Sequence, residues 1–329
     1  DAIQFTDKLL ATAPLFLKAN PSVAQRIERM KGQDRHYLAH EYFNRDWDPM
    51  HFFTMVRWLE SARLDYACSA DLQQGVNSVN LTEPQQQFLA EIPDLMLRQS
   101  VWDFMANNQF RRDYWIKGLR RMSPMERTGA LNSQRLLLSS FHSDIELKVN
   151  CVLGEATLSE EIYSPVIDAL SEQKIKTIEQ LHHSLTAKGI QYNQLIEAVL
   201  ILVNIGHIAL VQSEEAAKKA RPSTAALNKH LLSMARGASE ITNLVSPVTG
   251  GGVAVSLFQQ LFILALNEGK KEPEEWVQYA WQVLQLQDRK IVKKGLTLEA
   301  PEENLTELRA EANAFAEKRV KFLKSAGVV

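Results

Sequence analysis

Apolar residues recur at helical spacing along most of this chain, and that spacing constrains its fold more than any other feature. Residues three and four positions apart share one face of a helix, so such stripes predict amphipathic helices. The clearest stripes lie in residues 5–17, 52–59, 159–170, 177–185 and 304–326. Two short runs rich in aromatic or aliphatic residues, 64–69 and 110–118, predict strands. We therefore predict a mainly α fold with small β elements, in the α+β class.

The first two predicted units are a helical domain over residues 1–120 and a winged-helix-like unit over residues 134–212. In the first, Thr82-Glu83-Pro84-Gln85 predicts a capping box with proline in the first helical turn. The second has the element order of a winged helix: a strand, two amphipathic helices, an apolar helix and a closing strand at 207–211. Residues 119–133, with their proline, glycine and serines, predict a linker between the two.

The third predicted unit is helical and covers residues 223–329, with Arg221-Pro222-Ser223 as its boundary. Two β-prone runs flank Gly250-Gly251, which predicts a hairpin with a primed turn. An amphipathic helix begins at Pro273, and Gly327 follows the last helix as its cap.

The composition is that of an ordinary globular protein: 45% of the 329 residues are hydrophobic and 23% are charged. The net charge of −2 gives no general attraction to nucleic acid or to an anionic membrane. The most apolar window, residues 195–211, is too short and too interrupted to span a membrane. Cys68 and Cys151 are too few for a disulfide framework, which favours the cytoplasm, and both are expected to be small buried residues.

A polar group near position 40 is the first candidate site. His40, Glu41 and His51 do not have metalloprotease spacing, because position 44 is Asn44 rather than a histidine. No metal site and no catalytic residue is therefore predicted. Tyr37, His40, Glu41 and Asn44 are three or four residues apart, so we expect them on one helical face, as a polar network at a domain contact.

A basic cluster with interleaved aromatic residues is the second candidate; it comprises Arg111, Arg112, Tyr114, Trp115, Lys117, Arg120 and Arg121. Cations mixed with aromatic rings are typical of single-stranded nucleic-acid binding. A solvated strand face, or a surface that meets acidic groups of another domain, explains the cluster better in an acidic chain. DNA binding is not expected from the winged-helix-like unit, because its apolar helix, residues 192–205, contains no lysine or arginine.

Several motifs in this order resemble one known family. They are Tyr37-Leu38-Ala39-His40-Glu41-Tyr42-Phe43-Asn44, Trp47-Asp48-Pro49-Met50-His51-Phe52, Leu64-Asp65-Tyr66-Ala67-Cys68-Ser69-Ala70, Asp103-Phe104 and Gln109-Phe110-Arg111-Arg112-Asp113. Together they resemble the methyltransferase regulatory domain found behind the cofactor domain of bacterial S-adenosylmethionine (SAM) methyltransferases, including protein-lysine methyltransferases. Residues 246–255 and 302–305 are similar to the C-terminal part of the same proteins.

The resemblance implies helical and winged-helix regions that help the enzyme dimerise or hold a protein substrate. A Rossmann-like SAM domain needs a glycine-rich turn between a strand and a helix. Here the glycine cluster, residues 250–252, favours a hairpin instead. We therefore expect no cofactor on this chain and SAM on a domain outside it. Asp1 in place of a methionine fits a piece of a longer polypeptide.

Taken together, the sequence predicts a regulatory and substrate-engaging portion of a cytoplasmic SAM-dependent methyltransferase, directed to protein lysines and not catalytic alone. Residues expected to line or brace the acceptor's approach, or to form an interface, are Tyr37, His40, Glu41, Tyr42, Asn44, Arg111, Arg112 and Trp115. Expected partners are the SAM-binding domain, a protein substrate and a second copy of the chain, with no DNA and no membrane. Two alternatives stay open: a self-contained protein-binding adaptor and a nucleic-acid-binding module.

Overall fold

The computed structural model describes residues 2–237, 241–293 and 296–329, so Asp1 lies outside it. The chain divides into two compact units, Asp1–Ser61 and Ala62–Val329. Helices dominate, and the strand pairs of the described residues are short and antiparallel. The predicted mainly α fold with small β elements is confirmed. The predicted limits of the three domains stay predictions.

The first unit is built from short helices. They are α1 (Ala2–Ala11), α2 (Leu15–Ala19), α3 (Ser22–Lys31), α4 (Arg35–Glu41) and α5 (Phe52–Glu60). Lys31 Nζ lies 2.8 Å from Asp7 Oδ1, which links α3 to α1. Asp34 caps α4, because its carboxylate accepts hydrogen bonds from the backbone N–H groups of His36 and Tyr37.

The second unit begins with a strand pair that encloses a helical segment. Its elements are β1 (Leu64–Ser69), a 3-10 turn (Leu72–Gly75), α6 (Asn77–Asn80), α7 (Glu83–Ala90), α8 (Leu95–Met105) and β2 (Asp113–Lys117). Both strands were predicted, and so was the capping box at Thr82, whose N–H donates to Gln85 Oε1 at 2.9 Å. β1 pairs antiparallel with β2, and a bulge interrupts the register between Tyr66 and Cys68.

The middle of the second unit has the predicted strands and helices, together with elements that were not predicted. Its elements are α9 (Pro124–Asn132), β3 (Arg135–Leu138), a 3-10 turn (His142–Asp144), β4 (Lys148–Cys151), β5 (Gly154–Thr157), α10 (Glu160–Leu170), β6 (Lys176–Thr177), α11 (Ile178–Thr186), α12 (Tyr192–Asn204) and β7 (Ile208–Val211). The sheet order is β6-β3-β7, and β4 pairs with β5 as a hairpin that was not predicted.

The linker predicted for residues 119–133 is wrong, because α9 occupies most of it. Ser123 and Glu126 form a capping box, and Pro124 takes the first helical position, where its missing N–H loses nothing. The proline thus starts a helix here instead of preventing one.

The C-terminal part is helical, and its described residues form two small strand pairs. Its elements are α13 (Glu214–Met234), β8 (Asn243–Val245), β9 (Gly252–Ala254), α14 (Leu257–Asn267), α15 (Pro273–Leu286), β10 (Val292–Lys293), β11 (Leu296–Thr297), α16 (Pro301–Ala314), a π-helical turn (Phe315–Arg319) and α17 (Val320–Ser325). Helix α13 continues through Pro222, so the predicted boundary at Arg221-Pro222-Ser223 is not a break in helical structure, and the domain limit there stays a prediction. Burial of Ala217, Asn228 and Leu232 on this helix offsets the proline's local penalty.

The glycine-centred hairpin is confirmed, but its turn is not a tight primed turn. Val245 pairs with Gly252 as the last rung, so six residues connect the strands. Ser246 organises this loop: its hydroxyl accepts from the N–H groups of Val248 and Thr249, and donates to the carbonyl of Ala326 at 2.6 Å. Pro247 cannot donate a ladder hydrogen bond, which explains why the strand ends before it.

Three hydrophobic clusters are found among the described residues of the second unit. One lies among the C-terminal helices around Phe262 and Phe315, and one lies in the middle part around Leu136 and Leu202. The third is small and consists of Leu81, Leu89 and Trp102. Among the described residues, no helix has the length and apolar character needed to cross a membrane.

Candidate functional site

A cleft of about 550 Å³ opens beside β1 in the second unit. It is lined by Tyr66, Ala67, Cys68, Ser69, Gln74, Gly75, Asn77, Gln86, Leu89, Ala90, Leu95, Arg98, Gln99 and Trp102. The strand supplies one side, and α7, α8 and the 3-10 turn supply the others. On α8, residues 95, 98, 99 and 102 follow helical spacing, so one face of that helix points into the cleft. The volume is in the range that ligand sites of proteins occupy.

A buried polar network supports the cleft from behind and is centred on Arg111, whose side chain is 13% exposed. Its Nη1 donates to Asp103 Oδ1 at 2.8 Å, and its Nε donates to Asp113 Oδ2 at 2.8 Å. A third donor, Nη2, reaches Gln99 Oε1 at 3.0 Å and the Tyr66 hydroxyl at 3.4 Å. The guanidinium therefore joins α8, β1 and β2, and fixes two side chains that line the cleft.

The network shifts the protonation equilibria of its members. Burial disfavours the charged form of Arg111, but the hydrogen bond to Asp113 and the charges of Asp113 and Asp103 outweigh it and raise the pKa. Burial raises the pKa of Tyr66. Burial, with the nearby charge of Asp113, also raises the pKa of the Cys68 thiol. At neutral pH the cleft therefore presents a neutral phenol and a protonated thiol.

Hydrogen bonding behind the wall orients two glutamine amides of the cleft. Arginine has only donors, so the Gln99 atom that faces Arg111 must be the oxygen; that oxygen also accepts from the Tyr66 hydroxyl at 3.1 Å. The oxygen of Gln74 accepts from the Ser69 hydroxyl at 2.9 Å. Neither amide nitrogen has an acceptor within the described residues, so both amides offer the cleft donors.

Two further donors of the cleft are unmatched in the part of the chain that the structure describes. Arg98 is half-buried, and its guanidinium makes no ion pair or side-chain hydrogen bond there. The indole N–H of Trp102 is buried without an acceptor. A buried donor without an acceptor is uncommon in native proteins.

The structure places the predicted residues Tyr37, His40 and Glu41 on α4 of the first unit, with Tyr42 as the residue that ends the helix. Asn44 lies beyond that end, so the prediction that it shares the helical face is wrong. Its side chain instead accepts from the backbone N–H of Asp46 at 3.0 Å. No side-chain hydrogen bond joins these residues to one another, all of which the structure describes; the predicted network at a domain contact stays a prediction.

Tyr42 instead takes part in aromatic contacts within the first unit. Its ring lies 6.5 Å from that of Trp47, and the guanidinium of Arg26 lies 5.5 Å from the Tyr42 ring centre. Tyr37 is 47% exposed. These aromatic side chains can contact a partner, but nothing about their geometry indicates acid–base chemistry.

The predicted residues Arg111, Arg112 and Trp115 have different surroundings. Trp115 packs edge-on against Tyr66, with ring centres 5.7 Å apart, so it contacts, as Arg111 does, a residue that lines the cleft. Arg112 is exposed. The interpretation of the basic cluster as a solvated face or an open partner surface is wrong for Arg111, because two carboxylates of the chain itself surround it. Arg111 lies beside exposed cations in the sequence, so the sequence alone did not distinguish it from them.

Both cysteines were expected to be buried, and that expectation is wrong for Cys68, which is exposed; Cys151 is half-buried. Cys68 follows the β-bulge, which alters the direction in which strand residues point. The cleft residues Arg98, Gln99 and Trp102 were not predicted at all. Their common spacing on α8 was the signal that could have found them.

Neither a metal site nor a Rossmann-type cofactor site is found among residues 2–237, 241–293 and 296–329. No group of three potential metal ligands occurs there. Gly250 and Gly252 belong to an antiparallel hairpin and its loop, whereas a SAM site of the Rossmann type needs a parallel strand, a glycine turn and a helix. The side chain of Gln212 also fills the space that a Cβ at Gly250 would occupy.

Comparison with known proteins agrees with the sequence motifs. Residues 34–117 match the family model described as a predicted methyltransferase regulatory domain. That stretch contains every residue that lines the cleft. Residues 34–117 are therefore related to a methyltransferase regulatory domain.

The similarity to whole proteins extends along the chain but covers only part of each relative. An uncharacterized protein of Synechocystis sp., sll1526, is 36% identical over 327 residues, which are 99% of this chain and 64% of that protein. The structure of PKMT2 from Rickettsia typhi in complex with AdoHcy matches with a TM-score of 0.59 at 12% identity, over 100% of this chain and 67% of that one. A second PKMT2 structure from Rickettsia typhi matches with a TM-score of 0.56 at 11% identity, over 96% of this chain and 66% of that one.

Proposed function

We propose that this chain is the regulatory and substrate-engaging portion of a SAM-dependent methyltransferase that modifies lysine side chains of proteins. The observation that carries the proposal is that the family match and the cleft lie in the same stretch of the chain. The stretch that matches the regulatory-domain family, residues 34–117, also forms the cleft and its supporting network. The fold shared with PKMT2 adds support for a protein-lysine methyltransferase.

In this proposal the chain does not transfer a methyl group alone. SAM, bound to another domain, supplies the methyl group. The contribution of this chain is to hold the protein substrate, because aligning the acceptor nitrogen can supply much of the rate acceleration. The cleft engages one part of that substrate. Tyr37, His40, Glu41 and Tyr42 brace the approach of the acceptor.

The proposed partners follow from the same role. They are a SAM-binding domain, the protein substrate and a second copy of this chain in a homodimer, and the proposed compartment is the cytoplasm. The proposed winged-helix-like unit acts by protein contact. Its apolar helix α12 buries Leu195, Ala198 and Leu202 in the core, so these residues are not available for reading DNA.

The test compares the purified chain with a full-length natural polypeptide that contains it. Both are titrated with SAM and S-adenosylhomocysteine by calorimetry and then incubated with tritium-labelled SAM and unmodified bacterial protein. We expect saturable binding and labelled methyllysine with the full-length protein only. Labelled methyl groups on other residues would contradict lysine specificity, and saturable SAM binding by the chain alone would place the cofactor site on these residues.

A stand-alone adaptor is the second candidate, and one observation favours it. The first unit exposes large apolar side chains, of which Leu15 is 79% exposed and Phe16 is 61% exposed. Such side chains are typical of protein-contact surfaces. The adaptor hypothesis predicts that the full-length protein binds protein partners and forms no methyllysine. The same labelling experiment therefore separates the two functions.

A further inference from the structure

The cleft beside β1 is a donor-rich site. Gln99 and Gln74 both commit their amide oxygens to groups behind or beside the wall, so their NH₂ groups remain for a ligand. Arg98 adds a guanidinium, which has five N–H donors and no acceptor. A ligand that matches this set has to carry acceptor oxygens.

The charge of the cleft favours an anion over a cation. Arg98 is a charged residue of the lining, and the lining contains no aspartate or glutamate. By contrast, Arg111 forms ion pairs with Asp103 and Asp113, each at 2.8 Å. A half-buried guanidinium that has no carboxylate partner within the described residues suits a ligand carboxylate, which it can bind through two parallel hydrogen bonds.

The shape of the cleft indicates what carries that carboxylate. Tyr66, Ala67, Cys68 and Ser69 of β1 form one side of the cleft. Among the described residues, β1 pairs with β2 alone, so its second edge has no strand beside it. Unpaired strand edges accept extended peptides, since main-chain hydrogen bonds supply affinity and side-chain pockets supply specificity.

We propose that this cleft binds an extended peptide segment of a protein through an aspartate or glutamate side chain held by Arg98, Gln99 and Gln74. The peptide lies along the second edge of β1, and its carboxylate faces α8. The inference rests on the proposed function for one point only, that the peptide belongs to the methyl acceptor. It also separates docking from chemistry: a lysine side chain would meet a like charge at Arg98, so the methylated lysine lies outside the cleft.

The experiment is an NMR titration of the ¹⁵N-labelled chain with capped peptides. The probes are acetyl-Ala-Val-Glu-Val-Ala-amide and the same peptide with glutamine or lysine in the central position. We expect the glutamate peptide to shift the side-chain amide signals of Gln74 and Gln99 and the indole N–H signal of Trp102. It should bind about tenfold more tightly than the glutamine peptide, as one charge-assisted bidentate contact requires.

Two variants of the cleft and one control test the role of Arg98. Arg98→Gln should abolish the preference for glutamate, and Arg98→Lys should keep part of it. Arg127→Gln removes an exposed arginine of α9 that is not part of the cleft, and it should leave the preference unchanged. Thermal unfolding midpoints show whether each of the three variants is folded. If Arg98→Gln does not fold, Arg98→Lys still tests the role of the arginine.

Several results would overturn the inference. Equal binding of the glutamate and glutamine peptides would remove the carboxylate from the recognition, and so would an unchanged preference in Arg98→Gln. Tighter binding of the lysine peptide would reverse the assigned charge. Free glutarate is the small-molecule probe: binding as tight as that of the peptide would assign the cleft to a small carboxylate rather than to a protein segment. None of these measurements involves methyl transfer, so their failure is distinguishable from failure of the proposed function.

Discussion

Arg111 Nη1 lies 2.8 Å from Asp103 Oδ1, and this contact ties the segment that leads into β2 to the end of helix α8. The same guanidinium reaches both oxygens of Asp113, at 2.8 and 3.0 Å. One cation therefore balances two carboxylates beside the cleft. It also fixes the Gln99 amide, so the orientation of the cleft's donors depends on a residue that does not line it.

The Arg111 network predicts a large loss of stability for a conservative change. Arg111→Lys keeps the positive charge, but a lysine cannot serve Asp103, Asp113 and Gln99 from one planar group. Because the Arg111 and Asp113 side chains are only 13% and 8% exposed, solvent compensates little for the lost contacts. We expect the free energy of unfolding to fall by about 2 kcal/mol. Urea unfolding followed by circular dichroism measures it, and Arg127→Lys, an exposed change on α9, should shift it by less than about 0.5 kcal/mol.

Asn304 predicts a second stability effect, in the C-terminal part. Its side chain is buried; its oxygen accepts from the N–H of Ile291 at 2.9 Å, and its nitrogen donates to the carbonyls of Leu298 and Ala300. Asn304→Asp replaces that donor by an oxygen facing two carbonyl oxygens. We expect a loss of about 3 kcal/mol at neutral pH. The matched variant is Asn313→Asp, an exposed position on the same helix. A similar loss in both variants would contradict the assigned hydrogen bonds.

Tyr163 predicts a pH dependence. Burial, with a contribution from the charge of Glu197, raises the pKa of Tyr163 to about 12, from an ordinary value of 10. The folded state therefore keeps the phenol protonated where the unfolded chain has lost the proton. Stability from this group is complete below pH 10 and is lost as the pH rises toward 12. We expect this loss to reach about 2 kcal/mol. The measurement is the difference in unfolding free energy between the wild type and Tyr163→Phe at pH 9 and pH 11, and an unchanged difference would contradict the prediction.

Local signals predicted much of the fold. The capping box at Thr82 and the strand Leu64–Ser69 depend on neighbouring residues, and the structure has both. Errors arose where tertiary packing overrides a local preference, as in the helix that passes through Pro222. Proline is ambiguous in sequence, because it breaks a helix in the interior and starts one at the first position, as Pro124 does.

The candidate site was less predictable than the fold for a physical reason. Whether an arginine is a surface cation or the centre of a buried network depends on partners in other elements. Arg111 is preceded by Asp103 on α8 and followed by Asp113 on β2, and sequence spacing does not show that both face it. Conversely, Arg98 was not predicted, because what distinguishes it is the lack of a carboxylate partner among the described residues, and the sequence does not show this. The motifs of the family resemblance contain Asp103, Arg111 and Asp113, but they do not contain Arg98.

The proline inside α13 predicts a stabilising substitution. Pro222 is exposed, so replacing it loses no packing, and Pro222→Ala restores an N–H that can donate to the carbonyl of Lys218. Because proline is about 3 kcal/mol less favourable than alanine in a helix interior, we expect the free energy of unfolding to rise by about 1–3 kcal/mol. Pro301→Ala is the control: Pro301 opens α16, where the missing N–H costs nothing, so the change should stay within about 0.5 kcal/mol. If Pro222→Ala left the urea midpoint unchanged or lowered it, α13 would have to accommodate Pro222 through a local bend that alanine does not improve.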